Sequence, residues 1–239
     1  MELPLEPLTM DSPPTAPRKP AAKPRNPERT RAQILAVALR EFARHGFHGA
    51  RVERITKAAR CNPRMLYHYF GSKEQLYLAA LDEVYAGIRA QERSLDLESG
   101  PPEQAMQRLV EFTFDFFATN DVFLRMTRNE NVLGGRHIQR SRMIRDMSQP
   151  LLDAIGRLVA RGHAQGAFRE RVDPLQLYVS IVALSAHHLN NAATLSATFG
   201  TDLTDPAWTR ARRDHAVAMV LGYLGADGRG RRPDTEAGT

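Results

Sequence analysis

Residues 62–77 read NPRMLYHYFGSKEQLY and contain a short helix whose two ends are both marked in the sequence. Asn62 is a favourable N-cap, and Pro63 suits the first helical position, where its missing N–H costs nothing. Gly71 ends the segment, as glycine often does after a helix. Ser72 is then placed to cap another helix. The stretch is therefore predicted to hold a two-turn helix, a stop and the start of a longer helix.

The short helix separates its polar side chains from its apolar ones. At about 100° per residue, Leu66 and Phe70 share one face, while Arg64 and His68 lie on the opposite face. Lys73 lies in the first turn of the next helix, where the helix dipole disfavours a cation. A lysine at that position is easier to understand if an anion binds there from outside.

Two further helices are predicted before this stretch. Apolar residues with helical spacing run from residue 34 to residue 42, and a shorter apolar stripe runs from 52 to 59. A tight turn at residues 60–62 joins the second helix to the short polar helix. This order is typical of a helix-turn-helix, whose last helix enters the major groove of DNA. The alternative is a small helical subdomain with a solvated face.

The basic charge of the chain is concentrated in the same region. Of the 33 lysine and arginine residues, 14 lie between Arg18 and Asp82, a segment that holds only five of the 27 acidic residues. Residues 83–239 hold equal numbers of basic and acidic residues. A local excess of this kind indicates a polyanionic partner. A membrane-surface helix would need a free apolar face, whereas these faces are needed to pack three helices.

The run from residue 41 to residue 77, EFARHGFHGARVERITKAARCNPRMLYHYFGSKEQLY, resembles the N-terminal domain of the tetracycline-repressor (TetR) family. The resemblance rests on many positions at fixed spacing, among them Phe42, Gly46 and the segment 66–76. It implies an all-α fold, with an N-terminal three-helix helix-turn-helix DNA-binding domain and a C-terminal helical domain for ligand binding and dimerisation. The partner implied is a double-stranded DNA operator.

Residues expected to contact DNA lie on the second and third helices and at the start of the fourth. Tyr67, His68 and Lys73 are expected to bind phosphates, and Arg64 is expected to bind a guanine in the major groove. The complete set of expected DNA-binding residues is Arg51, Asn62, Pro63, Arg64, Met65, Tyr67, His68 and Lys73.

Two positions in this domain depart from the family pattern. The family often has threonine or serine at the start of the second helix, where the hydroxyl caps the helix and contacts a phosphate. This chain has Ala50 and Arg51 there. The family also often has glycine in the turn, where this chain has Arg60. Both arginines are able to contact a phosphate through their charge instead.

The chain is predicted to divide into four segments. These are a disordered proline-rich basic arm at 1–28, the DNA-binding domain at 29–76, the effector-binding and dimerisation domain at 77–225, and a disordered tail at 226–239. The arm has no continuous apolar run, so it is not a secretory signal. Its basic end either lies along a DNA groove or only aids solubility.

No apolar run reaches the roughly 18 residues of a membrane span, so no membrane partner is expected and the protein is predicted to be cytoplasmic.

The remainder is predicted to be helical throughout. Helices are expected at 73–95, 102–119, 121–130, 137–147, 149–166, 174–198 and 206–224. In TetR-like proteins the last two long helices form the dimer interface, which implies a homodimer through 174–198 and 206–224. The interface is expected to use Val179, Ile181, Val182, Leu184, Leu189, Ala216, Met219, Val220 and Tyr223.

Two segments of the second domain resemble one TetR subgroup, which includes a uracil-responsive regulator of pyrimidine utilisation. These are FTFDFFATNDVFLRMTRNENVLGGRHI and YVSIVALSAHHLNNAATLSATFGTDL. The resemblance implies a small-molecule effector site, without identifying the effector. Its expected residues are Phe114, Phe117, Phe123, Leu124, Arg128, Asn129, Asn131 and His137. In the alternative interpretation, the aromatic residues are core and the polar residues cap or pair the helices.

Enzymatic chemistry finds no support in the sequence. The eight histidines offer no metal-ligand pair at i, i+4, and there is no nucleophile elbow, phosphate-binding glycine loop or HExxH motif. No metal or cofactor is therefore predicted. The prediction is a homodimeric repressor released from a palindromic operator by a small molecule. The alternative is an effector-independent DNA-binding architectural or division-type factor.

The single cysteine, Cys61, excludes an internal disulfide and lies in the turn before the short helix. It is either a buried structural thiol or a redox sensor whose pKa is lowered by the neighbouring arginines.

Overall fold

The computed structural model describes residues 26–169 and 172–225, which form ten α-helices and one short 3₁₀ turn at Ile138–Arg140. The α-helices are α1 (Pro27–Gly49), α2 (Val52–Ala58), α3 (Pro63–Phe70), α4 (Lys73–Arg93), α5 (Pro102–Thr119), α6 (Asp121–Val132), α7 (Arg142–Ala164), α8 (Pro174–Asn190), α9 (Ala192–Phe199) and α10 (Pro206–Leu224). Within these residues there is no β-strand, only an isolated bridge between Phe168 and Gly225. The predicted all-α fold is confirmed.

The predicted arm and tail lie outside the described residues, except for residues 26–28. These three residues belong to the start of α1, where the Asn26 side chain accepts hydrogen bonds from the N–H groups of Glu28 and Arg29. None of the helices in the described ranges is long and apolar enough to cross a bilayer.

The N-terminal head, which consists of α1, α2, α3 and the first turns of α4, is built around α1. Ile34, Ala38 and Phe42 on α1 pack against α2, α3 and the first turns of α4, and they are fully buried. The same core includes Met126 from α6 and Ile144 from α7. The head is therefore continuous with the second domain rather than joined to it by a free linker.

A kink divides α1 near its end. Gly46 has a φ of 65°, which lies in the left-handed region that favours glycine. The last turn, up to Gly49, thereby leaves the axis of the main helix and leads into α2. The straight part of the helix predicted from the apolar spacing at 34–42 therefore ends at this kink.

The break predicted between helices 137–147 and 149–166 is wrong. α7 runs without interruption from Arg142 to Ala164, with Pro150 inside it. A proline removes one backbone hydrogen bond and usually kinks or ends a helix. Here Ile144, Leu151 and Ile155 are buried on both sides of the proline, so tertiary packing outweighs the lost bond.

The long helix predicted at 174–198 is divided in two. α8 ends at Asn190, Asn191 has φ −118° and ψ 14°, and α9 follows from Ala192. The Asn191 side chain donates 2.8 Å to the carbonyl of His187, a helical carbonyl four residues earlier. Asparagine interrupts helices through such side-chain bonds to the backbone, which propensity averaged over the segment did not reveal.

The second domain has its own core between α5, α7, α8 and α10. Leu109, Ile155, Ile181 and Ala216 are fully buried in it. α4 extends along this domain from the head, so that one helix belongs to both units.

Candidate DNA-binding surface and effector cavity

The short helix α3 presents its polar residues to solvent. The Asn62 side chain accepts a 2.8 Å hydrogen bond from the N–H of Met65 and so caps the helix. Leu66 and Phe70 are buried against the head, while Arg64 is exposed. The other outward residues of the motif are Pro63, Tyr67 and His68, with Met65 half-buried beside them. The predicted caps and faces of α3 are present in the structure.

The turn before α3 contains a strained residue. Arg60 has a φ of 52°, a conformation that costs a non-glycine residue roughly 1–2 kcal/mol. This is the position at which the family often has glycine. The arginine thus keeps the backbone geometry of the turn and adds an exposed cation beside α3.

Glu41 on α1 holds the start of α2, which lacks a side-chain cap. The N-cap residue Arg51 makes no side-chain capping bond, and its own N–H donates 3.1 Å to Glu41 Oε1. Arg54 donates 2.7 Å to the same oxygen and bonds the carbonyl of Gly49. Burial raises the pKa of Glu41, but the bonds from Arg54 and Arg51 outweigh it and hold the pKa below its usual value. Sequence reasoning missed this residue because its partners are ten and thirteen positions away.

Lys73 begins α4 beside the head. Its ammonium lies 4.9 Å from the centroid of the Phe47 ring, at a distance typical of a cation–π contact. Partial burial lowers the pKa of Lys73, although the nearby carboxylate of Glu41 opposes that shift. The Ser72 side chain caps the same helix end by accepting from the N–H of Gln75. A cation and the amides of a helix N-terminus therefore meet at one point, which suits a phosphate.

Cys61 is half-buried in the turn. Burial raises the pKa of its thiol, which disfavours the reactive thiolate at neutral pH. This favours the structural thiol over the redox sensor.

A cavity of about 280 Å³ lies inside the second domain, between α4, α5, α6 and α8. Four of the predicted effector residues line it, namely Phe117, Phe123, Leu124 and Asn131. Sequence reasoning missed the residues that α4 and α8 contribute, which include Tyr85, Arg89, Tyr178 and Asn190. Tyr85 and Arg89 lie outside both segments that resemble the subgroup. Tyr178 and Asn190 lie in the second segment, but no local pattern connected them to the residues on α6.

Arg89, which lines this cavity, forms a buried ion pair with Glu92. Arg89 Nη1 lies 2.8 Å from Glu92 Oε2, and both side chains are almost fully buried. Tyr178 bridges the pair, accepting from Arg89 at 3.1 Å and donating to Glu92 at 3.0 Å. Burial raises the pKa of Glu92 to about 6, despite the opposing charge of Arg89. Arg89 Nε is buried and has no hydrogen-bond partner among the described residues, so the pair retains an unused donor.

The other four predicted effector residues do not line this cavity. Phe114 stacks on the His188 ring, and Arg128 is exposed. Asn129 bonds the backbone of α1, and His137 is buried between the rings of Phe47 and Tyr77. Phe114 faces away from the cavity on α5, and the positions of the other three along α6 and the turn after it direct their side chains elsewhere.

A buried carboxylate holds the turn after α6 in place. Glu130 accepts hydrogen bonds from the N–H groups of His137 and Ile138, at 2.6 and 3.0 Å, and lies 3.1 Å from His137 Nδ1. This cluster fastens the second domain to the head next to Tyr77. It is a structural contact, as the alternative interpretation of these residues expects.

The described residues include no group of three or more His, Cys, Asp or Glu side chains arranged to hold a metal ion.

A capped, outward-polar α3 in a basic three-helix head defines a helix-turn-helix DNA-binding protein. Comparison with known proteins gives its family. A profile of bacterial regulatory proteins of the tetR family matches residues 34–80, and a profile of the tetracyclin repressor-like C-terminal domain matches residues 102–220. The chain belongs to the TetR family of DNA-binding transcriptional regulators, and it is not an enzyme.

Similar proteins span nearly the same length. The HTH-type transcriptional repressor NicS of Pseudomonas putida is 34% identical over 188 residues, which are 79% of this chain and 89% of NicS. The HTH-type transcriptional regulator RutR of Escherichia coli K12 is 25% identical over 191 residues, 79% of this chain and 87% of RutR. The crystal structure of SCO4942 from Streptomyces coelicolor superposes with a TM-score of 0.63 at 26% identity, covering 83% of this chain and 99% of that one. The resemblance drawn from the sequence is confirmed.

Proposed function

We propose that the protein is a homodimeric repressor that leaves a palindromic operator when a small molecule enters the cavity between α4, α5, α6 and α8. One observation carries the proposal. α4 begins with Lys73 at the DNA-binding surface and lines the cavity with Tyr85, Ile88 and Arg89 three to four turns later. A molecule that displaces these side chains shifts the helix that positions the head. By linkage, operator and effector then weaken each other's binding by the same factor.

The chemistry of the cavity supports binding of a small and partly polar molecule. Aromatic rings from four helices supply apolar area, and Thr127, Asn131 and Asn190 supply hydrogen-bonding groups. Arg89 adds a buried donor without a partner. A few polar groups in a mostly apolar cavity are typical of ligand sites.

Dimerisation through α8 and α10 is part of the proposal. Leu175, Val179, Met219 and Tyr223 are about half exposed, and they lie on the outer faces of these two helices. Four exposed apolar side chains on neighbouring helices support an interface there. Ile181, Ala216 and Val220 were also predicted for the interface, but they are buried within the subunit, so the proposed interface leaves them out. The two α3 helices are expected to lie about 34–36 Å apart, one turn of DNA.

On DNA, we infer that Tyr67, His68 and Lys73 bind phosphates and that Arg64 binds a base edge. Arg51 and Arg60 are exposed and add positive charge beside the same surface. The family supports a cytoplasmic location for such a regulator.

A cavity-filling variant tests the proposal. Ala186 lines the cavity and is buried, so Ala186→Leu is expected to occupy the effector volume while operator binding persists. The assay is release of a fluorescent operator, selected from genomic DNA, by metabolite extracts of the source cells. Wild-type protein should release DNA and the variant should not.

Ala197→Leu serves as the control, because Ala197 is exposed on α9 and away from the cavity. Metabolite extracts should release the operator from this variant at the same concentrations as from the wild type. Absence of release by any extract would favour the effector-independent factor, and release of Ala186→Leu at wild-type concentrations would place the effector elsewhere.

A further inference from the structure

Buried polar atoms without partners collect on one side of α8. His188 is 3% exposed, and neither of its ring nitrogens has a hydrogen-bond partner among the described residues. Ser185 Oγ on α8 and Arg212 Nε on α10 are also buried without a hydrogen-bond partner among the described residues. Buried polar groups are nearly always hydrogen-bonded, and each exception calls for an explanation.

Two of these three residues, His188 and Arg212, border a second cavity of about 320 Å³, between α8, α9 and the start of α10. His188 and Arg212 line it together with Trp208, and Leu195, Phe199 and Leu203 supply apolar walls. It shares no lining residue with the cavity of the proposed effector site. Its volume is about ten times the roughly 30 Å³ of a water molecule in the liquid, so one ordered water does not fill it.

The rings in this region favour a planar occupant. The His188 ring stacks on Phe114 with centroids 5.2 Å apart, and it lies 5.4 Å from the Trp208 ring. Phe199 is 70% exposed at the edge of the cavity. Aromatic rings bind one another preferentially in stacked or edge-to-face arrangements.

Arg212 gives the cavity a positive charge. It has no ion pair among the described residues, and its one hydrogen bond runs 3.3 Å to the carbonyl of Leu184. The next residue, Arg213, differs completely, because Asp115 binds its guanidinium through two bonds of 2.9 and 3.0 Å. A half-buried guanidinium without a carboxylate is suited to a bidentate anion.

We propose that this cavity is a second ligand site, which binds a small aromatic carboxylate. The carboxylate pairs with Arg212, the ring packs against Trp208 and Phe199, and a His188 nitrogen bonds a polar substituent or the carboxylate itself. The site requires only groups of one subunit and is independent of the proposed effector cavity.

Trp208 allows a direct test, because it is the only tryptophan of the chain. Benzoate is titrated into the full-length protein without DNA, and tryptophan fluorescence is recorded. A saturable change is expected, and benzamide, a neutral molecule of nearly the same shape, should bind at least roughly tenfold more weakly, as the loss of a charged hydrogen bond implies. No saturable change with benzoate would overturn the proposal, as would equal binding of benzamide. This comparison needs no variant.

Two variants locate the binding residues. Arg212→Gln is expected to weaken benzoate binding at least roughly tenfold. Arg210→Gln, at an exposed position two residues earlier, should bind like the wild type. Equal affinity of Arg212→Gln and wild type would mean that the guanidinium does not hold the anion.

His188→Phe keeps a ring of similar size but removes both nitrogens. A roughly tenfold weaker binding is expected here too, with an unchanged far-ultraviolet spectrum. Unchanged binding would show that water alone hydrogen-bonds the buried nitrogens and that His188 does not bind the ligand. Because binding is read without operator, failure here leaves the effector proposal untouched, and the reverse is also true.

Discussion

The side-chain amide of Asn129 donates to the backbone carbonyls of Phe42 and Ala43, at 3.1 and 3.3 Å, and so ties α6 to α1 just before its kink. The same helix lines the proposed effector cavity with Leu124 and Thr127. One short helix therefore contacts both the cavity and the DNA-binding head. In the proposed mechanism, α6 would give an effector a second route to the head, in addition to α4.

Asn129→Leu tests this tie. Removing the amide takes away its bonds to two carbonyls of α1 just before the kink, so the free energy of unfolding is expected to fall by about 1–3 kcal/mol. Operator affinity should fall as well, because the head is less firmly oriented. Chemical denaturation and operator titration measure the two effects. Arg128→Ala, at the neighbouring exposed position, is the control. It should change neither the free energy of unfolding nor that of operator binding by more than about 0.5 kcal/mol.

Two glycines of α7 are expected to respond oppositely to alanine. A Cβ at Gly162 would lie 2.0 Å from the buried Phe168 ring, whereas at Gly156 the nearest atom is 3.5 Å away, on Pro174. Gly162→Ala should destabilise the protein by about 1–3 kcal/mol through overpacking. Gly156→Ala should stabilise it by up to about 1 kcal/mol through helix propensity. The midpoints of thermal unfolding of the two variants measure these effects. Equal shifts of the midpoint would mean that the Phe168 ring moves aside to accommodate the new Cβ.

Operator binding is expected to depend strongly on salt. If each subunit neutralises about three phosphates, log K should fall with log salt with a slope near −5. Lys73→Ala removes one such contact per subunit, so it should lower the slope and weaken specific and random DNA alike. Fluorescence anisotropy at several salt concentrations measures both. A wild-type slope shallower than about −2 is incompatible with the proposed phosphate contacts.

Arg64 is expected to affect sequence preference instead. It is exposed on the first turn of α3, where a bidentate contact to guanine is geometrically suitable. Arg64→Ala should cost about 1–3 kcal/mol on the operator and relax the preference at one base pair per half-site. Competition between operator variants and random DNA measures this. Equal losses on both would make Arg64 a phosphate-binding residue.

Glu92 should make the protein less stable as the pH rises through its titration range. Its pKa is raised from 4.5 to about 6, mainly by burial, so the folded state holds this proton more tightly than the unfolded chain. Stability from this group is therefore fully present below pH 4.5 and is lost as the pH rises to 6, by at most about 2 kcal/mol. Arg89, Tyr178 and Arg93 are the groups that face it.

Glu92→Gln does not titrate, so it isolates this contribution. Between pH 4.5 and pH 6, the free energy of unfolding of the wild type should fall relative to that of the variant. Urea denaturation at several pH values measures both. A rise of the wild-type free energy of unfolding relative to the variant over this range would mean that pairing with Arg89 affects the pKa of Glu92 more than burial does.

The sequence by itself determined the local structure of the head. Asn62, Pro63, Gly71 and Ser72 mark helix ends through groups within a few residues of them, so caps and faces followed from short-range chemistry. The family and the all-α class followed from the same segment.

Tertiary structure alone decided which residues share a cavity or a contact. Glu41 holds α2, and Arg89 meets Tyr178 across 89 positions, because packing brings together helices that are distant in the chain. Helix periodicity gives the direction of a side chain only relative to its own helix. Asn129 and His137 were predicted to bind the effector, but whether they point to the cavity or to the head depended on how α6 packs against α1. Pro150 likewise remained inside α7 because buried neighbours on both sides outweigh one missing hydrogen bond.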